Sequence, residues 1–207
     1  MNSVLLRAIV ASAVAWLAAG CAVVEDKVPI DYVSQVSAPA PVPGAENVLI
    51  TVSARDRRAQ LGDRVSTKKN GYGMEMARIV SANDVVDLVR TSVESEFKAQ
   101  GFRVGPGGVA VAIELQNFYN NFQLGLVTGT ALADVSFGLK VRDATGAQLY
   151  AHDYSGSARL DNIMLMSGDN AKAALQKALA AAVKQVVDDT SLQQVLLSTR
   201  ARSSRGS

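Results

Sequence analysis

The chain has 207 residues, of which 48% are hydrophobic and 19% are charged, as in an ordinary globular domain. Its net charge of +2 comes without a basic stripe interleaved with aromatic side chains, which argues against nucleic-acid binding. The single cysteine, Cys21, excludes an intramolecular disulfide.

The first twenty residues have the composition of a secretory leader. Residues 1–7 carry one positive charge, Arg7, and residues 8–19 form an apolar run of 12 residues. A membrane-spanning helix needs about 20 apolar residues. The run therefore predicts a leader, residues 1–20, that is cleaved off.

The leader ends in Leu17–Cys21, a stretch that resembles the lipobox of bacterial lipoproteins. In that motif small residues let the peptidase reach the bond between Gly20 and Cys21, and the thiol takes a diacylglyceryl group. The resemblance implies that Cys21 carries lipid, with palmitate-type chains, and binds the lipid bilayer, because several acyl chains hold a protein on a membrane essentially permanently. Ala22 stands where retained inner-membrane lipoproteins have Asp, which implies the periplasmic face of the outer membrane. The alternative is an ordinary secretory leader followed by a chance cysteine.

Residues 21–46 are predicted to be a proline-rich tether between the lipid and the domain. The segment 38–44 (APAPVPG) is typical of an extended spacer. A flexible coil of this length would have a mean reach of about 25–30 Å, so that the domain would float near the membrane. Residues 28–36 have weak strand character, and their docking on a sheet edge is left open.

Residues 47–199 are predicted to form a single periplasmic domain. Alternating apolar residues predict strands at 47–54, 74–80, 109–119, 131–141 and 148–160, with a polar excursion at 59–72. Helical spacing predicts helices at 84–100, at 169–187 and, shorter, from a capping box of Ser191 with Gln194. Hairpin connections predict an α+β fold: a mostly antiparallel sheet of about five strands, with two main helices and the short C-terminal helix packed on one face. Residues 200–207 are predicted to be a disordered tail.

Three stretches carry a resemblance when taken together: Val48–Ser53 with Asp56–Arg58 after it, Ala99–Gly108, and Asp189–Leu192. In combination they resemble the YajG-like family of bacterial lipoproteins. The resemblance spans nearly the whole mature chain in the same order and agrees with the lipobox. It implies an outer-membrane-associated lipoprotein and carries over no catalytic residues.

The residues that usually perform catalysis or bind metals are sparse. His152 is the only histidine, and its place on an alternating strand predicts a solvent-facing side chain. Zinc needs about three protein ligands, which one histidine and one acylated cysteine do not supply. Gly105–Gly108 lacks both the Gly-Lys-Ser/Thr sequence and the following helix of a phosphate-binding loop, and it predicts a turn. We therefore expect no enzyme, no cofactor and no metal.

Arg55, Arg57 and Arg58 form the first candidate binding segment, directly after a buried strand. Their guanidinium groups are suited to an anionic partner such as a lipid headgroup or a glycan. The alternative is a solvated charged loop.

Phe118, Tyr119 and Phe122 form the second candidate, close to a predicted hairpin tip. If the tip is exposed, these side chains form an apolar patch for a partner protein or a lipid. The alternative is that they belong to the core.

These features together predict an outer-membrane-anchored periplasmic lipoprotein with a non-enzymatic binding or structural role in the cell envelope. Its partner would be an envelope protein or an envelope lipid. The alternative is a carrier or assembly accessory for lipid or lipopolysaccharide, which would use a groove between the helices and the sheet.

Overall fold

The structure is a computed structural model that describes residues 24–36, 41–59, 62–125 and 127–203. The predicted leader, Gly20 and Cys21 lie outside these residues, as do Leu126 and residues 204–207. The elements in chain order are β1 (Asp26–Val28), a 3-10 helix (Ala45–Asn47), β2 (Leu49–Asp56), β3 (Arg64–Lys69), β4 (Glu75–Ser81), α1 (Val85–Ala99), β5 (Arg103–Val104), β6 (Val109–Leu124), β7 (Gly129–Arg142), β8 (Gln148–Ile163), α2 (Gly168–Asp188) and α3 (Thr190–Ser203).

The larger sheet has five strands in the order β5-β2-β6-β7-β8. As predicted, β6, β7 and β8 are antiparallel neighbours joined by short turns. β2 adds parallel pairings to β5 and β6, because the chain crosses back through α1 before it enters those two strands. The predicted α+β class is confirmed.

The helix α2 covers β8, β7 and β6 and closes the main core. Its inner face combines small and branched side chains that are fully buried, among them Ala178, Leu179 and Val183. Gly156 in β8 permits this close approach, since a Cβ there would overlap the backbone carbonyl of Ala178. The helix therefore lies directly on the sheet.

A second sheet of three strands, in the order β1-β4-β3, contains an element that the sequence prediction missed. β3 lies in the predicted polar excursion at 59–72. Its residues Ser66 and Thr67 are buried, and Ser66 Oγ donates to the backbone carbonyl of Asn120 in β6 at 2.8 Å. Because polar side chains fill two of its three buried positions, β3 shows no apolar alternation in the sequence.

The N-terminal segment belongs to the folded domain. β1 pairs in parallel with β4, and Val28 and Ile30 lie in the core, with Ile30 1% exposed. The Tyr32 hydroxyl donates to Glu96 Oε1 of α1 at 2.6 Å. The described part of residues 21–46 is therefore not a flexible coil. It is docked on the domain, the alternative that the sequence had left open for residues 28–36, because alternate apolar residues reach the core.

Asp26 fastens β1 to two other elements. Its Oδ1 accepts a hydrogen bond from Lys68 Nζ in β3 at 2.7 Å, and its Oδ2 accepts one from the backbone N–H of Gly168 at 2.8 Å. Burial alone would raise the pKa of the Asp26 carboxyl, but these hydrogen bonds outweigh it and hold the pKa below its usual value. The folded domain thus begins at β1 rather than at residue 47.

The last helix also differs from its prediction. Asp189 accepts a hydrogen bond from the backbone N–H of Leu192 at 2.9 Å and so caps α3 in place of the predicted capping box at Ser191. The helix continues to Ser203, beyond residue 199, where the predicted tail was to begin.

Candidate functional site

The three arginines of the first candidate segment point to different places. Arg55 is exposed and forms an ion pair with Glu114 of β6. Arg57 is exposed. Arg58 is 8% exposed and turns inward, donating to Asp56 Oδ2 at 2.7 Å and to the carbonyl of Gly62 at 2.8 Å. The segment is therefore not one continuous cationic surface.

Arg58 and Asp56 form a partly buried ion pair that shapes this loop. The Arg58 guanidinium holds the pKa of the Asp56 carboxyl below its usual value through its hydrogen bonds. Arg58 Nη1 is buried, and it has no hydrogen-bond partner among the described residues. A buried donor of this kind is costly to leave without a partner.

The second candidate segment divides between the core and the surface. Phe118 and Phe122 are each 1% exposed, so neither can contact a partner. Both side chains are buried because of a β-bulge, at which the strand register shifts between Leu115 and Asn117. Before the bulge the odd-numbered residues of β6 face the core, and after it the even-numbered residues do. Tyr119 points the other way and is half-buried.

A cleft of about 260 Å³ brings Arg58 and Tyr119 together. Arg64, Asn117 and Asp134 also line it. One wall is fixed by hydrogen bonds, because Thr67 Oγ1 lies 3.0 Å from the Tyr119 hydroxyl and accepts from Arg64 Nε at 3.0 Å. We define this set of residues as the polar cleft.

The polar cleft presents guanidinium, amide and phenol groups beside one carboxylate. Asp134 is already engaged, since its Oδ1 accepts a hydrogen bond from Ser157 Oγ at 2.6 Å. Donors with fixed positions beside cationic guanidinium groups are suited to a hydroxyl-rich or anionic group. Arg58 and Tyr119 were predicted from the sequence as binding candidates. Arg64 and Asn117 were not, because their place in the cleft depends on the packing of β3 against β6, which only the fold shows.

His152 is exposed on β8, as predicted. The notable polar cluster nearby consists of Tyr150, Tyr154 and Asp189: both tyrosine hydroxyls donate to Asp189 Oδ2, with the Tyr154 bond at 2.7 Å. Burial and hydrogen bonding raise the pKa of Tyr154, which stays protonated as a donor. This cluster joins β8 to the α2–α3 junction, which is a structural role.

The described residues contain no group of three or more His, Cys, Asp or Glu side chains that could hold a metal ion. None of the helices in the described ranges is both long and apolar enough to cross a membrane.

A carrier of lipid or lipopolysaccharide, the alternative function predicted from the sequence, would need a groove between the helices and the sheet. In the described part of the chain, buried side chains of α2 and of the sheet occupy this interface. The contact of Gly156 with α2 leaves no room even for a Cβ. The described structure therefore offers no lipid-sized groove at that position.

The family model for Lipoprotein_16, described as "Uncharacterized lipoprotein", matches residues 34–197. The chain belongs to the Lipoprotein_16 family. The predicted lipoprotein is thereby supported at the level of the family. A search of curated proteins finds no match to this chain.

Solved structures match this Lipoprotein_16 chain, and the one from Xanthomonas campestris shares its fold. Protein XCC0632 from Xanthomonas campestris, of the family DUF330, superposes with a TM-score of 0.52 at 18% identity, covering 86% of this chain and 98% of that one. A minor lipoprotein from Acinetobacter baumannii matches with a TM-score of 0.45 at 9% identity, over 74% of this chain and 96% of its own. At these identities the similarity to the Xanthomonas protein shows the fold alone.

Proposed function

We propose that this Lipoprotein_16 chain is anchored by an acylated Cys21 to the periplasmic face of the outer membrane, and that it is YajG-like. The observation that supports this most is the position of Cys21, at the end of a lipobox-like leader and shortly before the first residue of a domain that matches a lipoprotein family. Ala22 in place of Asp supports the outer-membrane destination.

The variant Cys21→Ser tests the anchor, because Cys21 is the only cysteine in the chain. Cells that express the wild type should incorporate labelled palmitate into the protein and carry it in outer-membrane fractions. C21S should lose the label and leave the membrane fraction. Palmitate label that persists in C21S, or wild-type protein in the inner-membrane fraction, would contradict the proposal.

We further propose that the domain has a binding or structural role and is not an enzyme. The supporting observation is the polar cleft, a space of about 260 Å³ whose lining includes Arg58, Arg64 and Asn117. The expected occupant is an envelope component or envelope protein that presents an anionic or hydroxyl-rich group.

A photo-crosslinking amino acid in place of Asn117 tests this role in intact cells. The matched control has the same amino acid in place of Ala144, an exposed residue in the turn between β7 and β8. We expect a discrete adduct from position 117 that weakens in the R58K background, since lysine keeps the charge but lacks the second guanidinium nitrogen. No adduct at 117, or the same adduct from both positions, would contradict a binding role for the cleft.

A further inference from the structure

Large apolar side chains protrude from three neighbouring loops of the domain. The loops are the β3–β4 turn, the β6–β7 turn and the start of the β8–α2 connection. Their exposed fractions are 91% for Tyr72, 59% for Met74, 44% for Leu124, 85% for Val127, 75% for Met164 and 73% for Leu165. We call this set the apolar end.

Pairings and contacts place the three loops at the same end of the molecule. A Cβ on Gly73 would lie 4.0 Å from Leu124 Cδ1, so the β3–β4 turn touches the end of β6. Gly129, which follows the β6–β7 turn, pairs with Ile163, the last residue of β8. Met164 and Leu165 come directly after Ile163. Exposed apolar side chains concentrated in this way indicate an interaction surface.

The N-terminal segment leaves the domain at this same end. The carbonyl of Val24 accepts a hydrogen bond from Lys68 Nζ at 3.0 Å, near the end of β3. β1 runs parallel to β4, so the chain before β1 lies on the side where β4 begins, next to the β3–β4 turn. Val24 itself is 61% exposed and apolar.

Only two residues separate Cys21 from Val24. Three consecutive Cα–Cα steps of 3.8 Å span at most about 11 Å. Since β1 is fastened by Asp26 and its neighbours, an acyl chain on Cys21 holds the apolar end close to the bilayer surface. The mean reach of about 25–30 Å that residues 21–46 would have as a flexible coil therefore does not apply.

We propose that the apolar end rests on the bilayer that holds Cys21, with its side chains inserted in the interfacial region. This inference depends on the proposed acylation of Cys21. The side chains stand on three separate loops, which suits a fluid surface better than a shaped protein partner. Interfacial apolar groups of this kind enter the headgroup and acyl boundary by about 5–10 Å.

Tryptophan fluorescence can test this contact. The only tryptophan, Trp16, lies in the predicted leader, so the processed chain would contain none. The variants Val127→Trp at the apolar end and Ala144→Trp in the β7–β8 turn therefore each report a single position. Both lipidated proteins are reconstituted into vesicles of phosphatidylethanolamine and phosphatidylglycerol that contain brominated phosphatidylcholine, which quenches only indoles in contact with the lipid.

We expect the V127W emission to shift to the blue and to be quenched by brominated lipid, in low and high salt alike, and the A144W emission to stay unquenched. Equal and weak quenching in the two variants would overturn the proposal. A blue shift in V127W without quenching would also overturn it, because a second copy or another protein would then cover the apolar end.

Mass analysis of the same preparations separates this proposal from the anchor proposal. If Cys21 carries lipid and V127W is unquenched, the docking inference alone fails. If the thiol is bare, the anchor proposal fails. In that case the thiol is coupled to a maleimide phospholipid in the vesicles, and the two tryptophan variants are compared as before. Quenching of V127W but not of A144W then supports docking of the apolar end, and equal quenching overturns it.

Discussion

The junction between α2 and α3 depends on one carboxylate, Asp189. The hydroxyls of Tyr150 and Tyr154 and the backbone N–H of Leu192 all donate to it. Burial alone would raise the pKa of this carboxyl, but the donors outweigh burial and hold the pKa below its usual value of 3.8. The ionised form therefore stabilises the fold above the unfolded-state pKa, and this stabilisation is lost as the pH falls through the lower folded-state pKa.

The substitution Asp189→Asn should lower the free energy of unfolding at pH 7 by about 1–2 kcal/mol, because a neutral cap accepts these hydrogen bonds more weakly. Urea unfolding at pH 7 and at stepwise lower pH measures the effect. The difference from wild type should shrink as the pH drops below 3.8. The neighbour Asp188 is exposed and pairs with Lys184, so Asp188→Asn is the control and should cost less than about 0.5 kcal/mol. Equal losses in D189N and D188N would refute the role of Asp189.

The residues around the β6 bulge show what a sequence pattern cannot reveal. Phe118 and Phe122 were candidates for binding, and the structure buries both. A single extra residue near Leu115 reverses which side chains face inward, and bulges have no strong sequence signal. Tyr119 lies in the polar cleft for the same reason.

At the scale of elements, the main disagreement with the sequence is the N-terminal segment. Proline content indicated a flexible spacer, whereas β1 and Ile30 pack into the domain. Proline content indicates only the local preference of the backbone for an extended conformation. In this segment, tertiary contacts with β4 and α1 determine where the chain lies. The apolar positions Val28 and Ile30 were the only signal, and they allowed an edge strand without specifying its partner.

The substitution Ile30→Ala should lower the free energy of unfolding by about 2–5 kcal/mol, because it opens a cavity in the core. Val33 is 65% exposed, so Val33→Ala is the matched control and should cost less than about 0.5 kcal/mol. Chemical denaturation of both variants against wild type measures the difference. A negligible loss in I30A would show that the segment is not docked.

Other elements differed in how well local patterns predicted them. β6, β7, β8 and α2 were predicted because short hairpin turns and helical spacing are local signals. β3 was missed, since Ser66 and Thr67 occupy two of its three buried positions. The parallel pairing of β2 with β6 joins segments far apart in the chain, which no local pattern encodes.

At the scale of the whole molecule, the described fold places its N-terminus and its apolar end on the same side. The polar cleft lies along β6 and β3 and is lined by residues of both strands. A lipid on Cys21 would keep this side of the domain close to the membrane, because two residues join Cys21 to the folded chain. The proposed location at the membrane, and with it the setting in which the apolar end and the cleft would act, depends on acylation at Cys21.

Mass spectrometry of the N-terminal peptide from protein isolated from cell membranes tests that acylation most directly. We expect a peptide that begins at Cys21 and carries a diacylglyceryl thioether with a further acyl chain on its amino group. A peptide that begins at Met1, or a Cys21 with a bare thiol, would contradict it.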